Sequence, residues 1–568
     1  EGKKESKEYI QYTQLWEQLA AYLAEEPEQV CFETINEPQF TDGENAQKYL
    51  DSINQVAYDI IRNSGGNNET RMIVIPTINT NASNENSNTL YTFIESLNDP
   101  NIIATVHYYS EWVYSANLGI TGFDEPMGDD GNTARKAADT FFTTLSDVFT
   151  NNGIGVIVGE YGLLGYDAGE ECLQTGEEIK YYEYMGYKAS ENDGIALMFW
   201  DNGSGIDRNN ETYKWKYSRV GEAIEKAMQG RLGYATDLDS LYFSEPVKED
   251  VKIPLTLNGR TFTEIKGLTK GTDYTYEGEV ITLSKDYVNA LLKDAAYGQL
   301  KDLEIVFDNG YVWHEYLIYY GKPSYQKAEG TKTEGINIPF DFKGSAVRRI
   351  TAYQDSGRVG PNSSWWNWLQ NGGAFNVDYK KGTLVLLPAL FQDETVKDGE
   401  IKISIEFYDG QFLDVDMNIT KDIITCNGVD DNNNNNNNNT GNNTGNNTGS
   451  TGNTGSSTGN TVDNKDNTEN DNNTENNNNS NNKNNNNSNN TENNTNNEQQ
   501  EKEPQPEKVG TIVKTEDAKG IFKVTDTDSK MPEVSYKGTK KQATVSIPET
   551  ITDANNIVYK VTSIAKNA

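Results

Sequence analysis

The sequence has few of the residues that bind metals or cross-link small domains. Its 568 residues include two His and three Cys. The cysteines, Cys31, Cys172 and Cys426, lie far apart and form no CxxC pair, so zinc-finger ligation and a disulfide framework are both excluded. We therefore expect neither a metal nor a cofactor, and the odd cysteine count leaves the redox compartment open.

Positive charge and long apolar runs are also scarce. The 49 lysines and arginines are outnumbered by 86 aspartates and glutamates, which gives a formal net charge of −37. A surface this acidic repels phosphate backbones and anionic lipids, so we expect no nucleic-acid partner and no membrane-surface binding. No apolar stretch approaches the roughly 18 residues of a membrane span.

Residues 1–232 alternate between helical and buried-strand patterns. Apolar segments of strand length occur five times, separated by stretches with the 3,4 spacing of amphipathic helices. This alternation is typical of parallel βαβ units covered on both faces, and we predict part of an eight-stranded α/β (TIM-type) barrel, which takes about 250 residues. The strands are predicted at 29–35, 72–78, 102–108, 154–159 and 195–200, and the first helix, 11–25, should bury Leu15, Leu19, Tyr22 and Leu23.

The hydrophobic period changes to two from about residue 236. Alternating apolar residues lead into Asn258-Gly259, a strong signal for a two-residue hairpin, and a later stretch repeats the pattern. We predict two all-β sandwiches, at 236–322 and 323–426.

The remaining sequence differs in composition. Residues 427–508 are almost entirely Asn, Thr, Ser, Gly and Glu, and we predict a disordered linker because such a segment cannot bury enough apolar surface to fold. Residues 509–568 return to strand-like patterns and predict a short β-rich, repeat-like C-terminus.

Two carboxylates follow predicted strands. They are Glu37 in Asn36-Glu37-Pro38 and Glu160 in Gly159-Glu160-Tyr161. In a parallel barrel, side chains at the carboxyl ends of the strands meet at the open face, where active sites lie. Two carboxyl groups there suit glycoside hydrolysis, because one protonates the leaving oxygen and the other attacks the anomeric carbon or activates water. The alternative is a helix-capping acid and an unrelated loop acid.

Further polar and aromatic motifs follow the other strands in the order that a barrel presents them. They are His107-Tyr108-Tyr109 and Trp200-Asp201-Asn202-Gly203. With SGGNNETR (64–71) and HYYSEWVYSANLGITGFDE (107–125), they resemble the family-five glycoside hydrolases, subfamily four in particular, over about residues 8–230. The resemblance implies a retaining endo-β-1,4-glucanase acting on cellulose, mixed-linkage glucan or xyloglucan. A mannanase or xylanase of the same family, and a non-catalytic glycan-binding adhesin, are the alternatives.

The same resemblance implies residue roles. Glu37 would be the general acid/base and Glu160 the nucleophile, with their carboxyl groups about 5–5.5 Å apart. The resemblance further implies that Asn36 holds the sugar 2-hydroxyl, that His107 and Tyr109 contact the carboxylates and substrate, and that Trp200 is the stacking floor. Trp112 and Tyr114 are candidates for further sugar subsites, with loop packing as the alternative.

The C-terminal modules carry resemblances of their own. Residues 236–322 resemble an immunoglobulin-like module, and residues 323–426 resemble a family-46 carbohydrate-binding module. Its Trp365, Trp366 and Trp368 would be stacking platforms for a glucan, unless they pack in the sandwich core. Residues 545–568 resemble the start of a bacterial surface leucine-rich repeat array, which implies an extracellular protein with possible attachment to a cell surface.

The family pattern also requires an Arg and a second His on strands two and three, and neither has a counterpart here. By this comparison the first three βα units are missing, and the predicted strands would be strands 4–8 of the barrel. A remnant of this kind exposes two sheet edges, which favours aggregation.

We therefore expect residues 1–426, expressed alone, to be inactive or insoluble, while a protein carrying the whole barrel is active. The measurement is carboxymethylcellulose hydrolysis by the purified fragment. Robust hydrolysis would contradict the expectation.

Overall fold

The structure is a computed structural model, and the chain divides into two compact units, residues 1–442 and 443–568. The predicted linker, 427–508, lies outside the described residues except for Asn427 and Gly428. The described residues are 4, 6–165, 175–201, 205–208, 212–428, 512–513, 521–527, 533–538, 550–552 and 558–564.

Five parallel strands form the N-terminal sheet in chain order, and the sheet curls into half of a TIM-like barrel. All five predicted strands are present, although the first is only two residues long. The strands are β1 (Phe32–Glu33), β2 (Ile73–Asn81), β3 (Ile102–Tyr108), β4 (Gly155–Tyr161) and β5 (Ile195–Phe199). The helices are α1 (Lys7–Tyr22), α2 (Ala46–Asn63), α3 (Asn84–Leu97), α4 (Trp112–Ser115), α5 (Ala134–Val148), α6 (Thr175–Ser190) and α7 (Ser218–Ala227).

Side-chain caps fix where several of these helices begin. The hydroxyl oxygens of Ser6, Ser83 and Thr133 each accept a hydrogen bond from the backbone N–H three residues further on. Each cap satisfies one of the amide groups that a helix start leaves without an internal partner.

The predicted buried face of α1 is wrong. Leu15 is 53% exposed and Tyr22 is 85% exposed, whereas Trp16 and Ala20 are buried. Trp16 packs on Phe32 of β1 and its indole N–H donates to the Thr34 carbonyl, so the helix is rotated to bring the tryptophan onto the sheet. Both stripes have helical spacing, and periodicity alone could not choose between them.

The second module is a sandwich of two four-stranded sheets, β10-β11-β8-β6 and β7-β13-β12-β9. Its core includes Trp313, which is fully buried. Its elements are β6 (Tyr234–Ala235), β7 (Ser240–Phe243), β8 (Val251–Thr256), β9 (Phe262–Ile265), β10 (Tyr274–Glu277), β11 (Val280–Leu283), α8 (Lys285–Leu292), β12 (Gly298–Phe307) and β13 (Val312–Tyr319).

The third module packs a four-stranded sheet, β14-β16-β20-β19, on a six-stranded sheet, β15-β23-β22-β21-β17-β18. Its elements are β14 (Ser324–Tyr325), β15 (Ala328–Thr331), β16 (Ile336–Asp341), β17 (Val347–Gln354), β18 (Gly357–Val359), β19 (Phe375–Asp378), β20 (Thr383–Leu386), α9 (Pro388–Gln392), β21 (Gly399–Phe407), β22 (Phe412–Thr420) and β23 (Ile423–Cys426).

The described residues of the second unit form a five-stranded sheet, in the order β24-β25-β26-β28-β27, with a small core that includes Phe522 and Tyr559. Its strands are β24 (Ile512–Val513), β25 (Ile521–Asp526), β26 (Glu533–Gly538), β27 (Thr550–Thr552) and β28 (Val558–Ile564). The predicted β-rich C-terminus is present, and a leucine-rich repeat remains a prediction. Within the described part of the chain, no helix combines the length and hydropathy needed to span a bilayer.

The SGGNNETR segment fastens α1 to the sheet. Arg71 is fully buried, and its guanidinium makes five hydrogen bonds, one for each of its N–H donors. One goes to the side-chain oxygen of Asn68, which itself donates to the Ala20 carbonyl at the end of α1. The other four go to the backbone carbonyls of Leu23, Glu26, Pro27 and Val30.

We expect Arg71→Lys to destabilise the N-terminal module by about 3 kcal/mol, because an ammonium has three donors and leaves buried carbonyls without partners. Urea unfolding measures the loss. Arg358→Lys is the control, since Arg358 is exposed on β18 and the substitution should cost less than about 0.5 kcal/mol. Equal losses in the two variants would contradict the role assigned to Arg71.

Candidate active site

The carboxyl ends of β1, β3 and β4 bring the predicted acidic residues together. His107 of β3 is paired with Glu160 of β4 across the sheet. Glu37 lies four residues beyond the end of β1, in a left-handed backbone conformation with a φ of 42°. A glutamate rarely adopts this conformation, and strained residues of this kind are concentrated at functional sites.

An imidazole lies between the two carboxylates. Nδ1 of His107 is 3.0 Å from Oε1 of Glu37 and 3.4 Å from Oε2 of Glu160. The Tyr109 hydroxyl donates to the same Oε2 at 2.5 Å. One oxygen of each carboxylate and a ring nitrogen of His107 all lie within 4.8 Å of one another.

Exposure differs across this cluster. The side chain of His107 is 5% exposed, that of Glu160 21% and that of Glu37 45%. The imidazole therefore lies beneath the carboxylates, and Glu37 is the group with the most open access to a bound polymer and to water.

Glu33, on β1, adds a third carboxyl group to the surroundings. Loss of hydration raises the pKa of Glu33, the His107 ring lowers it, and the charge of Glu160 raises it further. Its influence on the site is electrostatic, through His107 and through the Glu160 carboxylate.

Three of the predicted substrate contacts lie on accessible surface. Asn36 is exposed beside Glu37, and Trp112 is 51% exposed in α4. Trp200, which follows β5, is 36% exposed and meets Tyr109 edge to face with ring centroids 6.1 Å apart. Tyr114 differs from these three residues. It is fully buried and its hydroxyl donates to the Glu177 carbonyl, which agrees with the packing alternative and not with a sugar subsite.

The acid pair is also a set of possible metal ligands. Among the described residues, Glu37, His107 and Glu160 form the group of three whose ligand atoms lie within 4.8 Å of one another. Two carboxylates and an imidazole can ligate a divalent cation, so the expected metal-free chemistry stays a prediction.

A cluster of four charged residues joins the third module to the barrel loop after β3. Oε1 of Glu125 accepts hydrogen bonds from Arg348 at 2.7 Å and from Arg349 at 3.0 Å. Both arginines also pair with Glu406 of β21. Glu125 uses its other oxygen to accept from the backbone N–H groups of Thr121 and Gly122, which ties the loop to the cluster.

Two of the three predicted stacking tryptophans, Trp366 and Trp368, lie in this interface between the third module and the barrel. The indole N–H of Trp366 donates to the Leu118 carbonyl at 2.7 Å, and the Trp368 ring lies under the Arg349 guanidinium. Gly119 has a φ of +80°, and a Cβ built on it would lie 2.6 Å from Cβ of Trp368. Both rings are half-buried against the barrel, so they are not the free platforms that we predicted, whereas Trp365 is 55% exposed.

Sequence reasoning missed this charged cluster. Arg348 and Arg349 are adjacent basic residues in a chain with a net charge of −37, and that contrast was the available signal. It could not identify Glu125 as their partner, because the contact joins residues more than 220 positions apart.

Two carboxylates at the open end of a parallel half-barrel are the groups that glycoside hydrolysis requires. Residues 2–205 match the family model described as Cellulase (glycosyl hydrolase family 5), and the chain belongs to that family. Residues 239–315 match the carbohydrate binding domain X2, and residues 321–428 match a carbohydrate binding domain of family 46. The predicted family-46 module is thereby confirmed, and the module before it is matched as X2, so an immunoglobulin-like identity remains only a prediction.

The chain is similar to several endoglucanases. Endoglucanase B of Paenibacillus lautus is 32% identical over 414 residues, which cover 71% of this chain and 70% of that protein. Endoglucanase B of Clostridium cellulovorans is 27% identical over 46% of this chain and 58% of that protein. The structure of a tri-modular endo-β-1,4-glucanase B from Bacillus halodurans superposes with a TM-score of 0.68 at 30% identity, over 74% of this chain and 78% of that chain.

We expect Glu125→Gln to weaken docking of the third module by about 2 kcal/mol, because it removes a half-buried charge facing two arginines. Calorimetry of the full chain should show a lower melting temperature for that module, since docking stabilises the bound form. Asp124→Asn is the control, because Asp124 pairs with Arg135 inside the barrel module. Unchanged melting in Glu125→Gln would contradict a docking role.

Proposed function

We propose that the chain hydrolyses internal β-1,4-glucosidic bonds by double displacement with net retention, with Glu160 as nucleophile and Glu37 as general acid/base. The observation that carries the proposal is the placement of both carboxylates on one imidazole, with ligand atoms within 4.8 Å. Retaining glycosidases need a gap of about 5–5.5 Å, whereas inverting enzymes need about 6.5–9.5 Å to admit a water molecule.

In the first step, a Glu160 oxygen attacks the anomeric carbon while Glu37 gives its proton to the leaving glycosidic oxygen. The bond to the leaving sugar breaks, and a glycosyl ester forms on Glu160. In the second step, Glu37 takes a proton from water, whose oxygen attacks the anomeric carbon. Glu160 leaves as a carboxylate, and both glutamates return to their starting states.

The contacts support this division of roles. Glu160 accepts a hydrogen bond from Tyr109, which orients one carboxylate oxygen and leaves the other for attack. Glu37 is more exposed, as the residue that handles both the leaving group and water should be. His107 contacts both carboxylates, Trp200 meets Tyr109 edge to face, and Asn36 and Trp112 are exposed.

We further propose that the substrate is a neutral β-glucan such as cellulose, mixed-linkage glucan or xyloglucan. The names of the similar endoglucanases and the two carbohydrate-binding modules support this class. Such polymers lie outside cells, so we place the protein outside the cell, with attachment to a surface through the C-terminal unit as part of the proposal. A mannanase or xylanase of the same family is the second candidate, because the acid pair does not itself select the sugar.

We expect Glu160→Ala to lower kcat of the protein on β-glucan by at least about 1,000-fold, because no covalent intermediate can form. Azide should restore turnover and yield a glycosyl azide of inverted configuration, which proton NMR detects. Glu44→Ala is the matched control, since Glu44 is an exposed acid shortly after Glu37.

Two outcomes would contradict the assignment. Unchanged hydrolysis by Glu160→Ala would remove the nucleophile, and retained glucan binding without any hydrolysis by the unaltered protein would favour a glycan-binding adhesin. EDTA should leave the rate unchanged, because the mechanism uses only carboxylates. Loss of activity that is restored by a divalent cation would instead favour a metal on the same three residues.

A further inference from the structure

The six-stranded sheet of the third module has one buried face and one exposed face. Ile401, Ile403 and Ile405 of β21 point into the sandwich core, while the residues between them face outwards. A groove of about 680 Å³ crosses this outer face over β17, β21 and β22. Its lining includes Tyr353, Gln354, Asp355, Glu400, Lys402, Asp416, Asn418 and Asn427.

Strand register fixes the floor of the groove. Tyr353 is paired with Lys402, and Lys402 is paired in turn with Asp416. The next row pairs Glu400 with Asn418. Neighbouring strands lie about 4.8 Å apart, so the Tyr353 ring, which is 40% exposed, has polar side chains within about 10 Å across the sheet.

This combination of groups suits a sugar. Sugar rings stack their C–H faces on an aromatic ring, and their hydroxyl groups need donors and acceptors beside it. Tyr353 offers the ring, Asn418 offers an amide, and Asp416 and Glu400 offer carboxylates. The aliphatic residues of the lining, Ile401 and Met417, are buried in the sandwich core, so the lining offers no exposed aliphatic anchor of the kind that protein partners use.

The charge of the groove selects a neutral polymer. Asp355, Glu400 and Asp416 are exposed, and the lysine of the groove is already paired with an acid outside it, since Lys402 lies 3.1 Å from Asp414. The net negative charge repels polyanions such as nucleic acids and polygalacturonate.

The groove lies on the same face as the contacts with the barrel. Arg349 contacts Glu125 of the barrel and lies four residues from Tyr353 on β17, a separation of about 13 Å. Its partner Glu406 lies four residues from Lys402 on β21. Trp366 and Trp368 contact the barrel at that interface, whereas Tyr353 is the accessible aromatic residue among those that line the groove. A polymer in the groove is thus held at a fixed place relative to the barrel.

We propose that this groove, centred on Tyr353, is a binding site for a neutral β-glucan chain, separate from the acid pair. The choice of ligand class rests on the proposed function, whereas the position of the site rests on the groove itself.

The test is retention of the full chain in native gels containing xyloglucan or hydroxyethylcellulose, in a Glu160→Gln background that leaves the polymer uncut. Tyr353→Ala should raise the dissociation constant about tenfold, and Tyr353→Phe should bind nearly as well as the parent because it keeps the ring. Phe412→Ala is the matched control: Phe412 lies on the same outer face and is 69% exposed, but it is outside the groove. Unchanged melting curves will show that each variant is folded.

Each outcome decides something. Equal retention of Tyr353→Ala and Phe412→Ala, or retention by polygalacturonate as strong as by neutral glucan, would overturn the proposed groove. If the unaltered protein fails to hydrolyse glucan while Tyr353-dependent retention persists, the proposed hydrolysis fails and the proposed groove is retained. If hydrolysis is normal but Tyr353→Ala binds as tightly as its parent, the groove alone fails.

Discussion

Nδ1 of His107 lies 3.0 Å from one glutamate and 3.4 Å from the other, and the remainder of the candidate site is arranged around that ring. The contact exists because β3 and β4 run parallel and in register, which sets His107 beside Glu160, while the chain leaving β1 turns through a left-handed residue to return Glu37 to the same nitrogen. The register of the sheet therefore positions Glu160 beside His107, and the left-handed turn after β1 positions Glu37 there.

The sequence was most informative where one physical rule decided the outcome. Apolar strands alternating with helices predicted the parallel sheet, and strand ends predicted where Glu37, His107, Glu160 and Trp200 would gather, because the carboxyl ends of parallel strands share one edge. No single rule of this kind decided which face of α1 is buried. Its two candidate stripes both have helical spacing, and the choice depended on a tryptophan packing onto β1, which only the folded sheet reveals.

The tryptophans of the third module illustrate the same limit. Local sequence identified Trp365, Trp366 and Trp368 as a group. Which of them are buried depends on contacts with a barrel loop more than 240 residues away in the chain. The SGGNNETR segment is a further example, since a stretch noted for its resemblance to a hydrolase subfamily contributes a buried guanidinium that closes the end of α1. Similarity to a motif identified these residues. Their contacts were needed to tell a structural role, such as that of Arg71, from a role in the candidate active site.

Gly119 shows how a missing atom can set the arrangement of two modules. With the Trp368 ring pressed against its α-carbon, the position tolerates no side chain, so any substitution there would act as a wedge between loop and sandwich. Variants at this one position would tilt the sandwich by amounts that grow with the size of the introduced group. Residue 119 is in this sense an adjustable spacer, through which the angle between the two modules could be tuned without altering either of them internally.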